Sequence, residues 1–278
     1  MIDPDPPIDG PDRFAHPQVK NLPLRQNAER GGYGWVRDFP DARDYLYAGT
    51  RVSDLPPSCD LRPQCPPIYD QGTLGSCTAN ALAAAIEFDL LKDRKRAFTP
   101  SRLFIYFLER AIADTVAQDA GAQLRDGIKA VTKIGAPPES DWPYEIAKFA
   151  ETPPEPAFFA AAQGLVKSYF RVPQDIWQMR SCLADGYPFA FGFTAYKSFE
   201  SPAVARTGKV PMPKSDERLL GGHAVVAVGY RDDDRTFIVR NSWGPLWGRE
   251  GYFLMPYEYL ITPHLAGDCW TVRSIASQ

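Results

Sequence analysis

The 278-residue chain predicts an α+β protein with its helices first and its strands later. Three observations carry that expectation. From 77 to about 186, apolar residues recur at helical spacing and strong helix formers dominate. From 188 onward the pattern shortens to apolar and aromatic runs bounded by Gly, Pro and Asp, the signature of strands. The two kinds of segment do not alternate, which does not fit a parallel sheet with crossover helices. With 44% hydrophobic and 23% charged residues, the composition is that of a globular protein with a sizeable core.

Residues 1–54 stand apart. Prolines at 4, 6, 7, 11, 17, 23, 40, 56 and 57 make long helices unfavourable over the first 60 residues. An extended arm is expected, loosest over 1–20. Its segment GYGWVRDFPDARDYLYAG (32–49) carries Tyr33, Trp35, Phe39, Tyr45 and Tyr47, aromatic surface that calls for a docking partner. Residues from about 20 to 50 are therefore expected to pack on the body of the protein.

Helices are predicted over 77–94 (CTANALAAAIEFDLLKDR), 100–114 (PSRLFIYFLERAIAD), 124–135 (LRDGIKAVTKIG) and 175–186 (DIWQMRSCLADG). Pro100 suits the start of the second, and Gly135 with Pro137 and Pro138 stops the third. The fourth puts Cys182 on a buried face. Strands are expected over 188–196 (PFAFGFTAY), 223–231 (HAVVAVGYR), 235–243 (RTFIVRNSW) and 251–256 (GYFLMP), with a hairpin loop at 231–235. The Pro- and Gly-containing stretch 197–222 reads as a long loop bordering a cleft.

A net charge of −3 gives no reason to expect a nucleic-acid or anionic-membrane partner. No run of about 20 apolar residues is present, and the first residues lack the basic and apolar regions of a signal peptide. The compartment is therefore left open. The five cysteines, Cys59, Cys65, Cys77, Cys182 and Cys269, include no CxxC pair, and no metal or organic cofactor is implied.

Candidate chemistry begins at Cys77. It follows Gly75-Ser76 and opens a run of helix formers, so it lies in or beside the first turn of a helix. Unpaired N–H groups and the helix dipole there favour a thiolate. A nucleophilic thiol needs a base, and the base an orienting group. His223 begins an apolar strand after two glycines, and Asn241 ends the next strand-like run. Antiparallel pairing would bring the two together, with the Asn amide oxygen orienting the imidazole. Trp243 could cover that hydrogen bond. Gln71, with the Cys77 N–H, could supply donors to a developing oxyanion. His16 and His264 have no such company.

These residues stand in motifs that resemble the papain family of cysteine peptidases: QGTLGSC (71–77), GHAVVAVGY (222–230) and NSWGPLWGREGY (241–252). The resemblance spans roughly 55–278. It implies a two-lobed papain-like fold, with a helical lobe over about 70–165, an antiparallel β-barrel-like lobe over about 166–278, and a cleft between them. It also implies roles. Cys77 would be the nucleophile, paired as thiolate with a His223 imidazolium; Asn241 would orient His223, and Gln71 would complete the oxyanion hole. Gly121 would pair with substrate backbone. Gly192 and Gly222 would line a roomy pocket for the second residue before the cut, beside Trp243. No paired-histidine insertion caps the cleft, so an endopeptidase is expected, acting on peptide or protein substrates as a monomer without a cofactor.

The chain departs from the family in three places. Thr78 stands where an aromatic residue usually follows the nucleophile. Leu74 replaces a cysteine, which removes the usual disulfide and leaves Cys59 and Cys65 as a local bridge or as thiols. The arm is shorter and richer in proline than the helical propeptides of the family, a combination that resembles its bacterial members. Part of the arm is expected to cross the cleft and keep the enzyme latent as a zymogen. Two other functions use the same residues: a catalytically silent papain-like binding module, which would need no complete Cys–His–Asn–Gln set, and an amidase or acyltransferase on the same dyad.

Overall fold

The protein is described here by a computed structural model covering residues 32–49, 55–93 and 97–275. His16 and the rest of the arm before Gly32 lie outside the described residues.

The first half is mainly helical. α1 (Cys77–Lys92) is the central element, with every residue from Cys77 to Leu90 buried. Its alanines let neighbours approach on all sides: α1 packs against α2 (Arg102–Ile112), α3 (Leu124–Lys133) and the β-sheet. α2 starts where expected, because the Ser101 hydroxyl accepts from the Phe104 N–H at 3.2 Å and satisfies an otherwise unpaired donor. α3 turns Leu124, Ile128 and Val131 inward, a helical stripe, and ends just before Gly135, whose φ of +91° suits glycine. A short helix, α4 (Glu155–Ala160), closes this part.

The second half is a seven-stranded sheet, all of it antiparallel. β4 (Val166–Arg171), β9 (Ala266–Ile275), β5 (Phe189–Tyr196), β6 (Leu219–Arg231), β7 (Thr236–Arg240) and β8 (Tyr252–Pro256) are neighbours in that order, and β2 (Ser58–Asp60) pairs with the end of β6. The strands thus run in one path from β4 to β8, in keeping with the antiparallel β lobe expected. β6 has 13 residues and spans the lobe, pairing with β5 along its first part and with β7 beyond it. Three helices decorate the sheet: α5 (Ile176–Ala184), α6 (Pro202–Thr207) and α7 (Tyr257–Ile261). Asp175 caps α5 by accepting from the Gln178 N–H at 3.0 Å, and Cys182 on this helix is fully buried.

Several elements differ from the sequence expectation. α6 sits inside the stretch read as a long loop, and its six residues are too few to show a period. β4 and β9 were not expected as strands. β9 lies between β4 and β5 with both faces covered, so its sequence AGDCWTVRSI has no alternation, and Asp268 interrupts it at a positive φ of 54°. All five cysteines are thiols. The Cys59 sulfur contacts the Leu183 carbonyl at 3.2 Å, so no Cys59–Cys65 bridge forms.

The arm runs over the body between these two halves. Its strand β1 (Trp35–Val36) pairs in parallel with β3 (Ala122–Gln123), and Tyr47 exchanges backbone hydrogen bonds with the β4 end through Tyr45 and Arg171. Of its aromatic residues, Trp35 and Tyr47 are buried and Tyr33 is half-buried. Phe39 and Tyr45 remain 75% and 69% exposed, so the expected docking holds for only part of the set. No described helix is long and apolar enough to cross a membrane.

Candidate active site

Cys77 opens α1, and the helix's first turn has no side-chain cap: the Ser76 hydroxyl turns to the Tyr144 hydroxyl at 2.5 Å. The free N–H groups and the dipole of α1 therefore face the thiol. Next to Cys77, the Thr78 hydroxyl donates to Glu109 Oε2 at 2.7 Å. Glu109 is fully buried, and burial raises its pKa well above the usual carboxyl range. A small hydroxyl at 78 fits this buried carboxyl.

β6 brings its start against Cys77. His223 is the fifth residue of β6, and the N–H of the following Ala224 points at the Cys77 sulfur. His223 Nε2 lies 2.8 Å from Asn241 Oδ1, and Asn241 directly follows the end of β7, the strand paired with β6. The Trp243 ring lies nearly flat against the imidazole, with centroids 5.0 Å apart at 30°, and keeps water from that hydrogen bond. Phe193 and Phe199 close the other sides at 5.6 and 6.2 Å. Phe199 belongs to the 197–222 stretch, so this part of the chain does border the site.

Gln71 reaches the site by zippering of two loops. Its N–H donates to the Ser242 carbonyl at 2.9 Å, and the Gly244 N–H donates to Tyr69 O at 2.9 Å. The Ser242 hydroxyl then donates to Gln71 Oε1 at 2.6 Å. That bond fixes which end of the amide is which, leaving Nε2 as the donor that faces the cleft. Nε2 donates to Leu74 O at 2.9 Å and to Gly32 O, a carbonyl of the arm, at 2.8 Å.

The arm thus fills the cleft. Tyr33 presents its ring edge to His223 at 5.9 Å and to Trp243 at 6.1 Å, and its hydroxyl donates to Glu200 at 2.7 Å. The Gly34 N–H points at the Cys77 sulfur, and the Gly34 carbonyl accepts from the Ala122 N–H at 2.7 Å. Gly121 has φ of +72°, and a Cβ there would sit 2.2 Å from Gly34 O, so only glycine permits this approach. The indole of Trp35 lies on Gly192 and Gly222, where added Cβ atoms would come within 1.9 and 2.9 Å of its ring.

With this cover in place, burial pushes the Cys77 thiol up to about 12, even though the Ala224, Gly34 and Thr78 N–H groups pull the other way. The expected lowering by the helix terminus is outweighed, because water is excluded from the sulfur.

Sequence reasoning missed the groups that hold the arm. Asp268 Oδ2 accepts from Trp35 Nε1 at 3.2 Å and from the Asp38 N–H at 2.7 Å. Asp38 in turn accepts from Trp270 Nε1 at 2.9 Å and from the Arg125 N–H at 3.1 Å. Arg171 spans Asp268 and Asp44 at 3.0 and 2.8 Å, and Arg125 pairs with Asp44 at 2.5 Å. The only signal in the sequence was the acidic and basic content of VRDFPDARD; its partners lie about 85 to 230 residues away. His264 takes no part, meeting Thr194 only through its carbonyl. Among the described residues no group of His, Cys, Asp and Glu could hold a metal ion.

The model of the papain family of cysteine proteases matches residues 55–262. The chain belongs to that family. A solved structure of xylellain, a cysteine protease from Xylella fastidiosa, is 41% identical and superposes with a TM-score of 0.84 over 91% of this chain and 100% of that one. An uncharacterised peptidase C1-like protein of Acanthamoeba polyphaga mimivirus is 40% identical over 270 residues, 87% of each chain. A cathepsin B-like protein of Giardia intestinalis is 31% identical, covering 73% of this chain and 69% of its own. Digestive procathepsin L 3 of Tenebrio molitor shares the fold, with a TM-score of 0.66 at 21% identity over 82% of this chain and 73% of that one. The chain is accordingly a papain-like cysteine peptidase with a mostly antiparallel sheet.

Proposed function

We propose that the chain is a cysteine endopeptidase of zymogen type, with Cys77, His223, Asn241 and Gln71 as its machinery and residues 32–49 as a built-in plug. The observation that carries this is the Gly32–Trp35 backbone lying on Gln71 and Cys77. An arm that merely packed on the surface would have no reason to use those two groups.

Once the arm is displaced, water and substrate reach Cys77, and the α1 terminus and His223 favour the thiolate–imidazolium pair. The sulfur attacks the scissile carbonyl carbon. The oxyanion takes the place of Gly32 O at Gln71 Nε2, with the Cys77 N–H as second donor. His223, held by Asn241, gives its proton to the leaving amine. It then takes a proton from the water that hydrolyses the thioester and frees Cys77. Gly121 offers its neighbouring backbone to the substrate, as it does to Gly34, and Gly192 and Gly222 line the pocket now filled by Trp35. Trp243 shields the His223–Asn241 bond.

The test is the rate of iodoacetamide alkylation at Cys77 against pH, on the full chain and on the full chain carrying Tyr33→Ala and Trp35→Ala. The expected result is slow labelling of the former and fast labelling of the latter down to about pH 5, lost with His223→Ala. Labelling of both forms that rises only above about pH 8, as for an ordinary thiol, would overturn the peptidase reading. Equal, fast labelling of both would overturn the plug alone.

A further inference from the structure

The two donors proposed for the oxyanion, Gln71 Nε2 and the Cys77 N–H, lie at the two ends of a loop, 72–76, that is neither helix nor strand. No regular element therefore fixes their separation. One side chain bridges the loop. Tyr144, in the segment after α3, donates its hydroxyl to Gln71 O at 3.0 Å and lies 2.5 Å from the Oγ of Ser76, the residue just before Cys77. The protons of this bridge run in one direction. Arg102 has only donors, so the Asn80 side-chain oxygen faces its Nη1 at 3.2 Å and the Asn80 amide nitrogen faces Ser76. Asn80 Nδ2 donates to Ser76 O at 2.9 Å and to Ser76 Oγ at 3.1 Å, which fixes Ser76 to α1. A backbone carbonyl only accepts, so the single Tyr144 proton goes to Gln71 O and the Ser76 hydroxyl donates to Tyr144. The far end of the chain is anchored too. Glu139 clamps Arg102 through Nε and Nη2 at 2.8 and 2.6 Å, and the guanidinium lies 4.1 Å over the Tyr144 ring. Burial pushes the Tyr144 hydroxyl up to about 12, so it remains a donor at neutral pH.

We propose that Tyr144 is a positioning residue for the reaction: its hydroxyl ties the Gln71 backbone to Ser76 and so sets the distance between the two oxyanion donors. Tyr144 touches no reacting atom and acts through the residues at either end of its bridge. Without the hydroxyl both donors are still present, but the loop between them is free to open. The developing oxyanion then loses stabilisation that the bound ground state does not use, so turnover suffers and substrate binding does not. Alkylation of Cys77 by iodoacetamide needs the thiolate but forms no oxyanion, and is blind to this spacing.

The inference rests on the peptidase reading of the site. The test uses the full chain carrying Tyr33→Ala and Trp35→Ala, with a peptidyl aminomethylcoumarin as substrate and iodoacetamide as a second probe. In this background Tyr144→Phe keeps the ring under Arg102 and removes only the hydroxyl. The expected result is a kcat lower by roughly tenfold with KM changed by less than about twofold, while the rate of Cys77 alkylation against pH stays that of the parent. Ser76→Ala cuts the same bridge from its other end and gives a similar loss. The double variant loses no more than either single one, because one bridge breaks only once. An unchanged kcat in Tyr144→Phe would overturn the proposal. So would alkylation that slows in step with kcat, the mark of a general disturbance, or losses that multiply in the double variant. A parent chain that neither turns over the substrate nor alkylates as a thiolate would overturn the peptidase reading itself, and is recognised before any change at 144 is made.

Discussion

At the scale of single residues, what matters is which atom each side chain leaves free. Gln71 could face either way, and the Ser242 hydroxyl on Oε1 decides that Nε2 turns to the cleft. Replacing Ser242 by Ala removes that decision without touching any reacting group. The expected effect is a fall in kcat of roughly tenfold with KM little changed, because the donor proposed for the oxyanion is lost for part of the time; equal kcat for S242A would show that Gln71 is oriented by other means. Gly192 makes the opposite point. A Cβ there would lie 1.9 Å from the Trp35 ring, so Gly192→Ala cannot keep the indole seated. The full-length variant should alkylate at Cys77 at least about tenfold faster than the parent, since one lost unit of pKa lift alone is tenfold in thiolate. An unchanged rate would mean that Trp35 does not hold the arm down.

At the scale of elements, the arm is a strap fastened at a buried pair of carboxyls. Asp268 is lifted to about 7, by burial first and then by the neighbouring Asp38, and Asp38 is raised by burial as well. The groups facing the pair are Arg37 on the arm, Arg125 on α3 and Arg171 on β4, with Asp126 also near Asp38. Displacing the arm separates the two acids and wets Asp268, returning it toward the ordinary carboxyl value. The docked state therefore binds protons that the open state releases. Docking is tightest below the open-state value and weakens as the pH rises through about 7. Hydrogen exchange at the Ala122 amide, which donates to Gly34 O, should show a larger open fraction at pH 8 than at pH 5 after correction for intrinsic rates. Asp38→Asn should flatten that dependence. Greater opening in acid would refute the assignment of the pair.

At the scale of the whole molecule, the two halves meet along α1 and along the loop pair 69–71 and 242–244. Arg240, at the end of β7, ties this junction. It is 3% exposed, donates to Pro66 O at 2.6 Å and to Pro67 O, and lies 4.9 Å over the Tyr69 ring. Arg240→Leu leaves the buried Pro66 carbonyl without its donor, while the exposed Pro67 carbonyl can turn to water, a loss of about 1–3 kcal/mol in stability. Thermal melting of the variant should show it, and because Gln71 rides on the same loop, peptide turnover should fall further than at Leu254→Ala on the next strand.

The sequence by itself determined the order of helices and strands, and it singled out Cys77, His223, Asn241 and Gln71 as candidates and an arm with aromatic surface to bury. Those features were legible because they are local: a helical period, a β-branched run, a motif whose residues stand a few positions apart. Only the tertiary structure decided that β9 is a strand, because its pairing partners β4 and β5 lie on either side of it and its own sequence lacks alternation. It also decided that Trp35 and Tyr47 dock while Phe39 and Tyr45 stay in water, and that Asp38 and Asp268, 230 residues apart, share one buried site. The pKa of Cys77 is the sharpest case. A helix N-terminus lowers it, burial under the arm raises it, and the balance depends on which segment lies over the sulfur, a contact between residues 34 and 77 that no local pattern encodes.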